Sequence, residues 1–168
     1  MLSVLEDDVL RGNAPVSSDL SDLLALLGDT RVGETLGGTK SEPAVCKVLT
    51  RWKQLRAERG LGPWFFRLRE TGAFVGYAGV APAPDSIEPG AVELLYALLP
   101  GFWGRGLATR MSSLALENVL ERPGNADVVA YTLTTNLPSR RVLEKLGFSL
   151  ERRLQHAGLP HVLYRLGD

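Results

Sequence analysis

Glycine and aromatic residues form a compact turn near the middle of the chain. The segment Trp103-Gly104-Arg105-Gly106-Leu107-Ala108 follows an apolar run typical of a strand and precedes a pattern typical of a helix. Small residues let the backbone approach a ligand closely, and the first-turn amides of a helix have no partner within the helix. These amides and the positive end of the helix dipole predict a phosphate or pyrophosphate site. The alternative is that the glycines only make a tight turn.

Two common phosphate-binding motifs fit this turn poorly. A P-loop requires a Lys-Ser or Lys-Thr pair after its last glycine, but Leu107 and Ala108 follow Gly106. A dinucleotide-binding fingerprint requires a third glycine near Thr109, within an early β-α-β unit. Neither a P-loop nucleotide site nor a dinucleotide site is therefore favoured.

A single carboxylate interrupts the apolar run before the turn. Glu93 is the one charged residue within residues 91–99. Burial disfavours the charged form of a carboxylate and raises its pKa, which suits a general base. The alternative is that Glu93 lies exposed at the end of a strand, beside the preceding proline-rich loop.

These residues must be positioned by helices and strands that the hydrophobic pattern predicts. Apolar residues at three- and four-residue spacing predict helices that begin after Ser18, after Ser41, at Arg105 and at Asn136. Strands are predicted over residues 9–10, 64–69, 74–80, 91–99, 127–133, 148–154 and 161–166. Residues 30–40 are expected to form a loop. This order of elements indicates a mixed α/β sheet with helices on both faces.

Three segments resemble the motifs of the GNAT (GCN5-related) N-acetyltransferase superfamily. The glycine turn resembles its pyrophosphate-binding pattern, Gln/Arg-x-x-Gly-x-Gly/Ala, except that Trp103 occupies the first position, as it usually does in RimJ/RimL-like members. Residues 136–148 resemble the Asn-x-x-Ser…Gly-Phe element of that branch, with Asn136, Ser139 and Phe148 in register. Residues 74–80 are similar to the family's glycine-marked third strand.

The resemblance implies the GNAT fold, as a single domain over residues 1–168. Its central sheet is expected to be mostly antiparallel with a splayed parallel strand pair and helices on both faces. Acetyl-CoA is the implied co-substrate, with its pyrophosphate held by the backbone amides of residues 103–108. The pantetheine arm is expected to pair with the backbone near Leu98 and Leu99. Asn136 would bind the pantetheine amides, and the alternative for Asn136 is plain helix capping.

The resemblance also implies direct acetyl transfer to a primary amine in a ternary complex. Glu93 would deprotonate the amine through water, since only a neutral amine attacks a thioester, and a backbone amide of residues 91–99 would stabilise the oxyanion. Many members carry a tyrosine seven residues after the asparagine to protonate the thiolate, but here that position is Leu143. Ser139 is the candidate in its place, with solvent as the alternative. Cys46 is expected to fill space rather than to act as a nucleophile.

The resemblance leaves the acceptor amine and one rival function open. The acceptor is either a protein N-terminal amine or a small-molecule amine, bound by the first two helices and the final hairpin. The rival is a non-catalytic GNAT-fold module that senses acyl-CoA or binds a partner, and Leu143 keeps it under consideration. A homodimer is common among relatives and is possible here.

Composition and charge exclude several other classes of protein. The 168 residues include 19 basic and 19 acidic side chains, and this balance favours neither nucleic acid nor an anionic membrane as partner. No apolar run approaches the roughly 18 residues that span a bilayer. The acidic N-terminus is unlike a signal peptide, so a cytoplasmic location is expected. With one cysteine and two histidines, no metal site is predicted.

Overall fold

The computed structural model describes residues 3–124 and 126–167 as an eight-stranded sheet flanked by helices. The strands are β1 Val4–Glu6, β2 Leu10–Asn13, β3 Gly62–Leu68, β4 Phe74–Pro82, β5 Val92–Leu98, β6 Val128–Leu133, β7 Phe148–His156 and β8 Leu159–Leu166. The helices are α1 Leu20–Leu27, α2 Thr30–Gly33, α3 Glu42–Arg59, α4 Leu107–Leu120 and α5 Leu137–Lys145. The strand order is β1-β2-β3-β4-β5-β6-β8-β7, and only β5 and β6 pair in parallel. The predicted mixed fold is therefore confirmed.

Three local predictions in the first third of the chain need correction. The strand expected at residues 9–10 is the second half of a hairpin, β1–β2, whose turn forms because the Asp7 carboxylate accepts hydrogen bonds from two following amides. Ser18 does not cap α1, because it lies inside a 3-10 turn that runs directly into that helix. The loop expected from residue 30 begins with α2, because the Asp29 side chain accepts from the amides of Arg31 and Val32. Each correction depends on a short local hydrogen bond or turn that hydrophobic periodicity does not detect.

The helix α3 has the two ends that its sequence predicts. The Ser41 hydroxyl accepts a hydrogen bond from the Ala44 amide at 3.4 Å, with Pro43 in the first turn. Gly60 ends the helix in the left-handed conformation at φ 66°. Val45 and Leu49 on the inner face of α3 pack with α1 against one face of the sheet, while α4 and α5 cover the other face.

The strands β5 and β6 separate soon after they begin. β5 pairs with β4 along its whole length, but it pairs with β6 only through Val92 and Glu93. The remainder of β6 pairs with β8 on its other side. A wedge-shaped opening, here called the β5–β6 gap, therefore forms between the C-terminal halves of the two parallel strands.

Gly76 keeps β5 close to β4. A Cβ atom at this position would lie 2.0 Å from the carbonyl oxygen of Ala97 and 2.8 Å from the Cα atom of Leu98, both in the β5 backbone. No side chain fits at such distances, so the strand pair requires glycine here. The glycines that mark this strand in the sequence thus serve the close approach of neighbouring strands.

In the described parts of the chain, none of the helices has the length and apolar character needed to cross a membrane. Cys46 lies partly buried on α3 with a free thiol.

Candidate active site

The backbone of β5 presents polar groups to the β5–β6 gap. The amide of Leu99 donates to the Val75 carbonyl of β4 at 2.9 Å, so the backbone of Leu99 belongs to the β4 ladder. Because backbone groups alternate in direction along a strand, those of Leu94, Tyr96 and Leu98 point toward β6. Of the two residues expected to pair with a ligand, Leu98 faces the gap, whereas the amide of Leu99 is already bonded within the sheet.

The glycine turn connects β5 to α4 at the mouth of this gap. Gly104 and Gly106 adopt left-handed conformations, with φ of 71° and 73°, and Gly106 is the N-cap of α4. Glycine offers no capping side chain, so the first-turn amides of α4 remain open to a ligand. The indole Nε1 of Trp103 donates to the Leu98 carbonyl at 2.9 Å and fixes the turn against β5. The arrangement suits an anion at the helix N-terminus.

Positive charge lies beside the turn. The guanidinium of Arg105 lies 5.4 Å from the ring centre of Phe102, within the range of a cation–π contact. Arg105 is exposed, as are the neighbouring residues 103–106. A ligand phosphate at the α4 N-terminus would therefore meet open amides and a nearby cation.

The helix α5 begins on the other side of the gap. Asn136 is its N-cap: Oδ1 accepts from the Ser139 amide at 3.3 Å, and Nδ2 donates to Thr132 Oγ1 at 3.1 Å. The capping alternative is thus observed. An amide side chain still retains a further lone pair and a further N–H, so this geometry leaves room for a ligand contact as well.

Tyr96 meets Ser139 across the gap. Its hydroxyl oxygen lies 2.5 Å from Ser139 Oγ and 3.2 Å from the Ser139 carbonyl oxygen. Burial raises the pKa of Tyr96 to about 12, and the hydrogen bond to Ser139 opposes this rise. Tyr96 belongs to none of the motifs that mark the other candidate residues in the sequence. Its position in the strand was the one signal that the sequence offered. Tyr96 comes three residues after Glu93, so its side chain lies on the opposite face of β5, the face that α4 and α5 cover.

Leu143 lies in the hydrophobic core. Its side chain is 1% exposed and packs in one cluster with Val80, Leu94 and Phe148. This is the position at which many family members carry a tyrosine. In this chain the position serves packing between α5 and the sheet.

Glu93 projects toward the face of the sheet that carries α1 and α3. Burial raises the pKa of its carboxyl group to about 7, against the opposing effects of the Tyr131 hydroxyl and the positive charge of Arg51. The side chain is partly buried rather than fully exposed. The rise in pKa expected for an isolated carboxylate in an apolar strand is therefore present, and a pKa near neutrality suits a proton acceptor.

Tyr131, whose hydroxyl acts on this carboxylate, belongs to a cluster of aromatic rings. The Tyr131 ring lies 5.2 Å from His156 and 6.1 Å from His161, and the two imidazoles are 5.3 Å apart. His161 Nδ1 must donate to the Leu159 carbonyl at 2.9 Å, since a carbonyl only accepts, which leaves Nε2 as an acceptor in the neutral ring. On the other side of Glu93, burial and the negative charge of Glu93 raise the pKa of Tyr77. The final hairpin thus packs its two imidazoles against Tyr131, the residue of β6 whose hydroxyl acts on Glu93.

An open groove of about 430 Å³ adjoins this hairpin. It is lined by Thr134, Arg153, Leu154, Gln155 and Pro160. Leu154 packs against the same core cluster as Tyr131, so the groove lies next to the aromatic cluster that includes Tyr131. In residues 3–124 and 126–167, no group of three or more His, Cys, Asp and Glu side chains is placed to hold a metal ion.

Comparison with known sequences relates the chain to a protein family and to curated proteins. The family described as "Acetyltransferase (GNAT) domain" matches residues 11–149. An Aspergillus fumigatus protein named FsC-acetyl coenzyme A-N(2)-transacetylase is 30% identical over 95 residues. That match covers 54% of this chain and 40% of the relative, so it spans less than half of the relative's length.

Solved structures share the fold over nearly the whole chain. A GnaT-family acetyltransferase from Bordetella pertussis superimposes with a TM-score of 0.87 at 24% identity, covering 99% of this chain and 100% of that chain. RimL, a ribosomal L7/L12 alpha-N-protein acetyltransferase in complex with coenzyme A, gives 0.77 at 20% identity, with 96% of each chain covered. AAC(6')-Ib in complex with ribostamycin and coenzyme A gives 0.76 at 21% identity, covering 95% and 93%.

Proposed function

Because the chain belongs to the GNAT acetyltransferase family, we propose that it transfers an acetyl group from acetyl-CoA to a primary amine. One observation carries the proposal: β5 and β6 diverge after Glu93 and open a gap between the α4 N-terminus and α5. On one face of the sheet this gap adjoins open helix amides, and on the other face it adjoins a carboxylate whose pKa is about 7. Cofactor and amine can thus approach one point from opposite faces.

The cofactor occupies the α4 side of the gap in this proposal. Its pyrophosphate binds the backbone amides of the turn Trp103-Gly104-Arg105-Gly106-Leu107-Ala108, where Gly104 and Gly106 hold left-handed conformations. Its pantetheine arm pairs with the backbone that β5 turns toward the gap, chiefly with the amide of Leu98, because the Leu98 carbonyl already accepts from Trp103 Nε1. Asn136 contributes the polar atoms that its capping bonds leave over. Coenzyme A bound to RimL and to AAC(6')-Ib, which share this fold, supports the assignment.

The amine approaches from the face that carries Glu93. Glu93 takes a proton from the ammonium group through water, and the neutral amine attacks the thioester carbonyl. A gap-facing amide of β5 stabilises the oxyanion, and Ser139 assists departure of the sulfur. Transfer is direct, in a ternary complex of enzyme, acetyl-CoA and amine. The structure of AAC(6')-Ib with both ribostamycin and coenzyme A bound supports such a complex.

The acceptor is a protein N-terminal amine or a small-molecule amine. The RimL fold neighbour, together with Trp103 in the glycine turn, supports a RimJ/RimL-like enzyme and an N-terminal acceptor. The complex of the aminoglycoside acetyltransferase AAC(6')-Ib with ribostamycin supports a small amine. A cytoplasmic location and a homodimer also belong to the proposal, whereas nucleic acid, membrane and metal do not.

A second candidate function is a non-catalytic module that binds acyl-CoA. Leu143 favours it, because the position that often carries the proton-donating tyrosine is buried in the core of this chain. The two functions differ in turnover. Release of CoA with any member of a panel of amines and peptide N-termini supports the enzyme, while saturable binding without release across that panel supports the module.

Calorimetric titration tests the cofactor site first. Acetyl-CoA should bind with a micromolar Kd, CoA should bind similarly, and ATP should not, because the site recognises a pantetheine arm as well as phosphates. The variant Gly106→Val is the matched test, since a β-branched residue at φ 73° strains the turn without filling any nearby space. A folded protein that binds neither acetyl-CoA nor CoA would mean that the glycine turn is structural, and the proposed function would be withdrawn.

A further inference from the structure

A short polar contact between Tyr96 and Ser139 spans the β5–β6 gap. The two residues are 43 positions apart in sequence, and their oxygens lie 2.5 Å apart. Tyr96 comes from the strand that borders the gap, and Ser139 from the first turn of α5. The hydroxyl pair therefore joins the two walls of the proposed cofactor site.

The single proton of the Tyr96 hydroxyl allows two arrangements. In one, Tyr96 donates to the Ser139 carbonyl at 3.2 Å, and the Ser139 hydroxyl donates to Tyr96. In the other, Tyr96 donates to Ser139 Oγ, and the proton of Ser139 is directed to a third group. A negative charge beside Ser139 stabilises the second arrangement, because only this one offers the charge a donor.

We propose that Tyr96 is a positioning residue that orients the Ser139 hydroxyl toward the sulfur of the departing thiolate. The inference rests on the proposed function, which places the thioester in the β5–β6 gap. When the C–S bond breaks, its electron pair goes to the sulfur and the amide carbonyl forms. The thiolate then accepts a hydrogen bond from Ser139. The proton that the nitrogen loses at this step passes to water, and water returns one proton to the thiolate.

The raised pKa of Tyr96 indicates that this residue orients Ser139 and does not itself donate a proton to the thiolate. A free thiol ionises near pH ~8.5, so a tyrosine whose pKa is about 12 would protonate a thiolate against a gradient of more than about a thousandfold. Tyr96 therefore stays protonated throughout the working range of pH and remains a fixed donor to Ser139. Ser139, oriented by Tyr96, thus provides on α5 the hydroxyl that Leu143 does not supply.

Tyr164 provides a matched control. Its hydroxyl also holds α5, since it accepts from Arg140 Nε at 3.0 Å and donates to Glu144 Oε1 at 3.2 Å. It makes no contact with Ser139 among the described residues' hydrogen bonds. Tyr164→Phe thus removes a tyrosine hydroxyl that is hydrogen-bonded to α5, as Tyr96→Phe does, but at a place away from the proposed position of the sulfur.

The ionisation of bound CoA is the decisive measurement. The pKa of its thiol is read from thiolate absorbance during pH titration of the complexes with wild type, Tyr96→Phe, Ser139→Ala, the double variant and Tyr164→Phe. Tyr96→Phe and Ser139→Ala should raise the thiol pKa by similar amounts and lower kcat about tenfold, with the Kd for CoA and Tm near wild type. The double variant should be no worse than Ser139→Ala, because both act on one hydrogen bond. Tyr164→Phe should retain the wild-type thiol pKa and the wild-type kcat.

Several outcomes would overturn the inference. A wild-type thiol pKa and kcat in Tyr96→Phe would remove Tyr96 from the mechanism, and so would a change confined to Kd or Tm. A wild-type protein that binds no CoA would instead overturn the proposed function, which is a distinct result. If Tyr96→Phe does not fold, Tyr96→3-fluorotyrosine keeps the shape and makes the hydroxyl a stronger donor. It should lower the thiol pKa, and an unchanged value would refute the proposal.

Discussion

Replacement of Glu93 by glutamine should make the protein less active and, at alkaline pH, more stable. Glutamine has nearly the same shape as glutamate but carries no charge. Burial raises the pKa of Glu93 from its ordinary value of 4.5 to about 7, so the folded chain holds a proton that the unfolded chain releases between these pH values. The stability that this carboxyl group contributes is therefore complete below pH 4.5 and is lost as pH rises through about 7.

The size of the effect follows from the two pKa values. The rise corresponds to about 3 kcal/mol of unfolding free energy, reduced to about 2–3 kcal/mol because the side chain is partly accessible to water. Glu93→Gln carries no such loss. Relative to wild type, it should gain about 2–3 kcal/mol between pH 5 and pH 8.5, which is about 5–10 °C in Tm for a chain of this length.

Activity should change in the opposite direction. General base catalysis typically accelerates a reaction by about 10²–10⁴-fold, so we expect Glu93→Gln to lower kcat/KM about 100-fold at pH 8. The ratio of wild-type to variant rate should rise with pH up to about 7 and then level off, since only the carboxylate accepts a proton. Taking the ratio cancels the ionisation of the amine substrate itself.

Urea unfolding at pH 5 and pH 8.5, together with pH–rate profiles, tests both halves of this prediction. Glu70→Gln is the control, because Glu70 lies exposed in the turn between β3 and β4, and this variant should follow wild type in both assays. A stability difference that does not change between the two pH values would refute the buried-carboxylate reasoning. A rate ratio independent of pH would remove Glu93 from the mechanism even if the stability gain appears.

Two further predictions concern packing. Gly76→Ala should lower the unfolding free energy by about 2–3 kcal/mol. The new Cβ atom would lie 2.0 Å from the Ala97 carbonyl oxygen, and the backbone of β5 cannot move aside. Urea unfolding that matches wild type would contradict this prediction. Leu143→Tyr should lower Tm without raising kcat, because the side chain points into the core rather than the β5–β6 gap. A faster enzyme with unchanged Tm would show that this position can reach the leaving sulfur.

The amino-acid sequence by itself determines the local parts of the site. The left-handed glycines before α4 and the Asn136 cap of α5 form through contacts within a few residues, and turn and cap chemistry is specific enough to predict them. Glu93 could likewise be singled out, because a lone carboxylate in an apolar strand is costly wherever that strand is buried. The strand and helix order was sufficient to predict a mixed sheet, since elements of that pattern have few ways to bury their apolar faces.

Only the tertiary structure decided how these parts meet. The register of β5 against β4 turns the backbone of Leu98 into the β5–β6 gap and that of Leu99 away from it. The contact of Tyr96 with Ser139 joins residues 43 positions apart. Glu93 is affected by Arg51 of α3 and by Tyr131 of β6, and the final hairpin packs against Tyr131. Hydrophobic periodicity reports which face of an element is buried, but not which partner it is buried against. Partner and register follow from packing the whole sheet, because each is set by contacts distant in sequence.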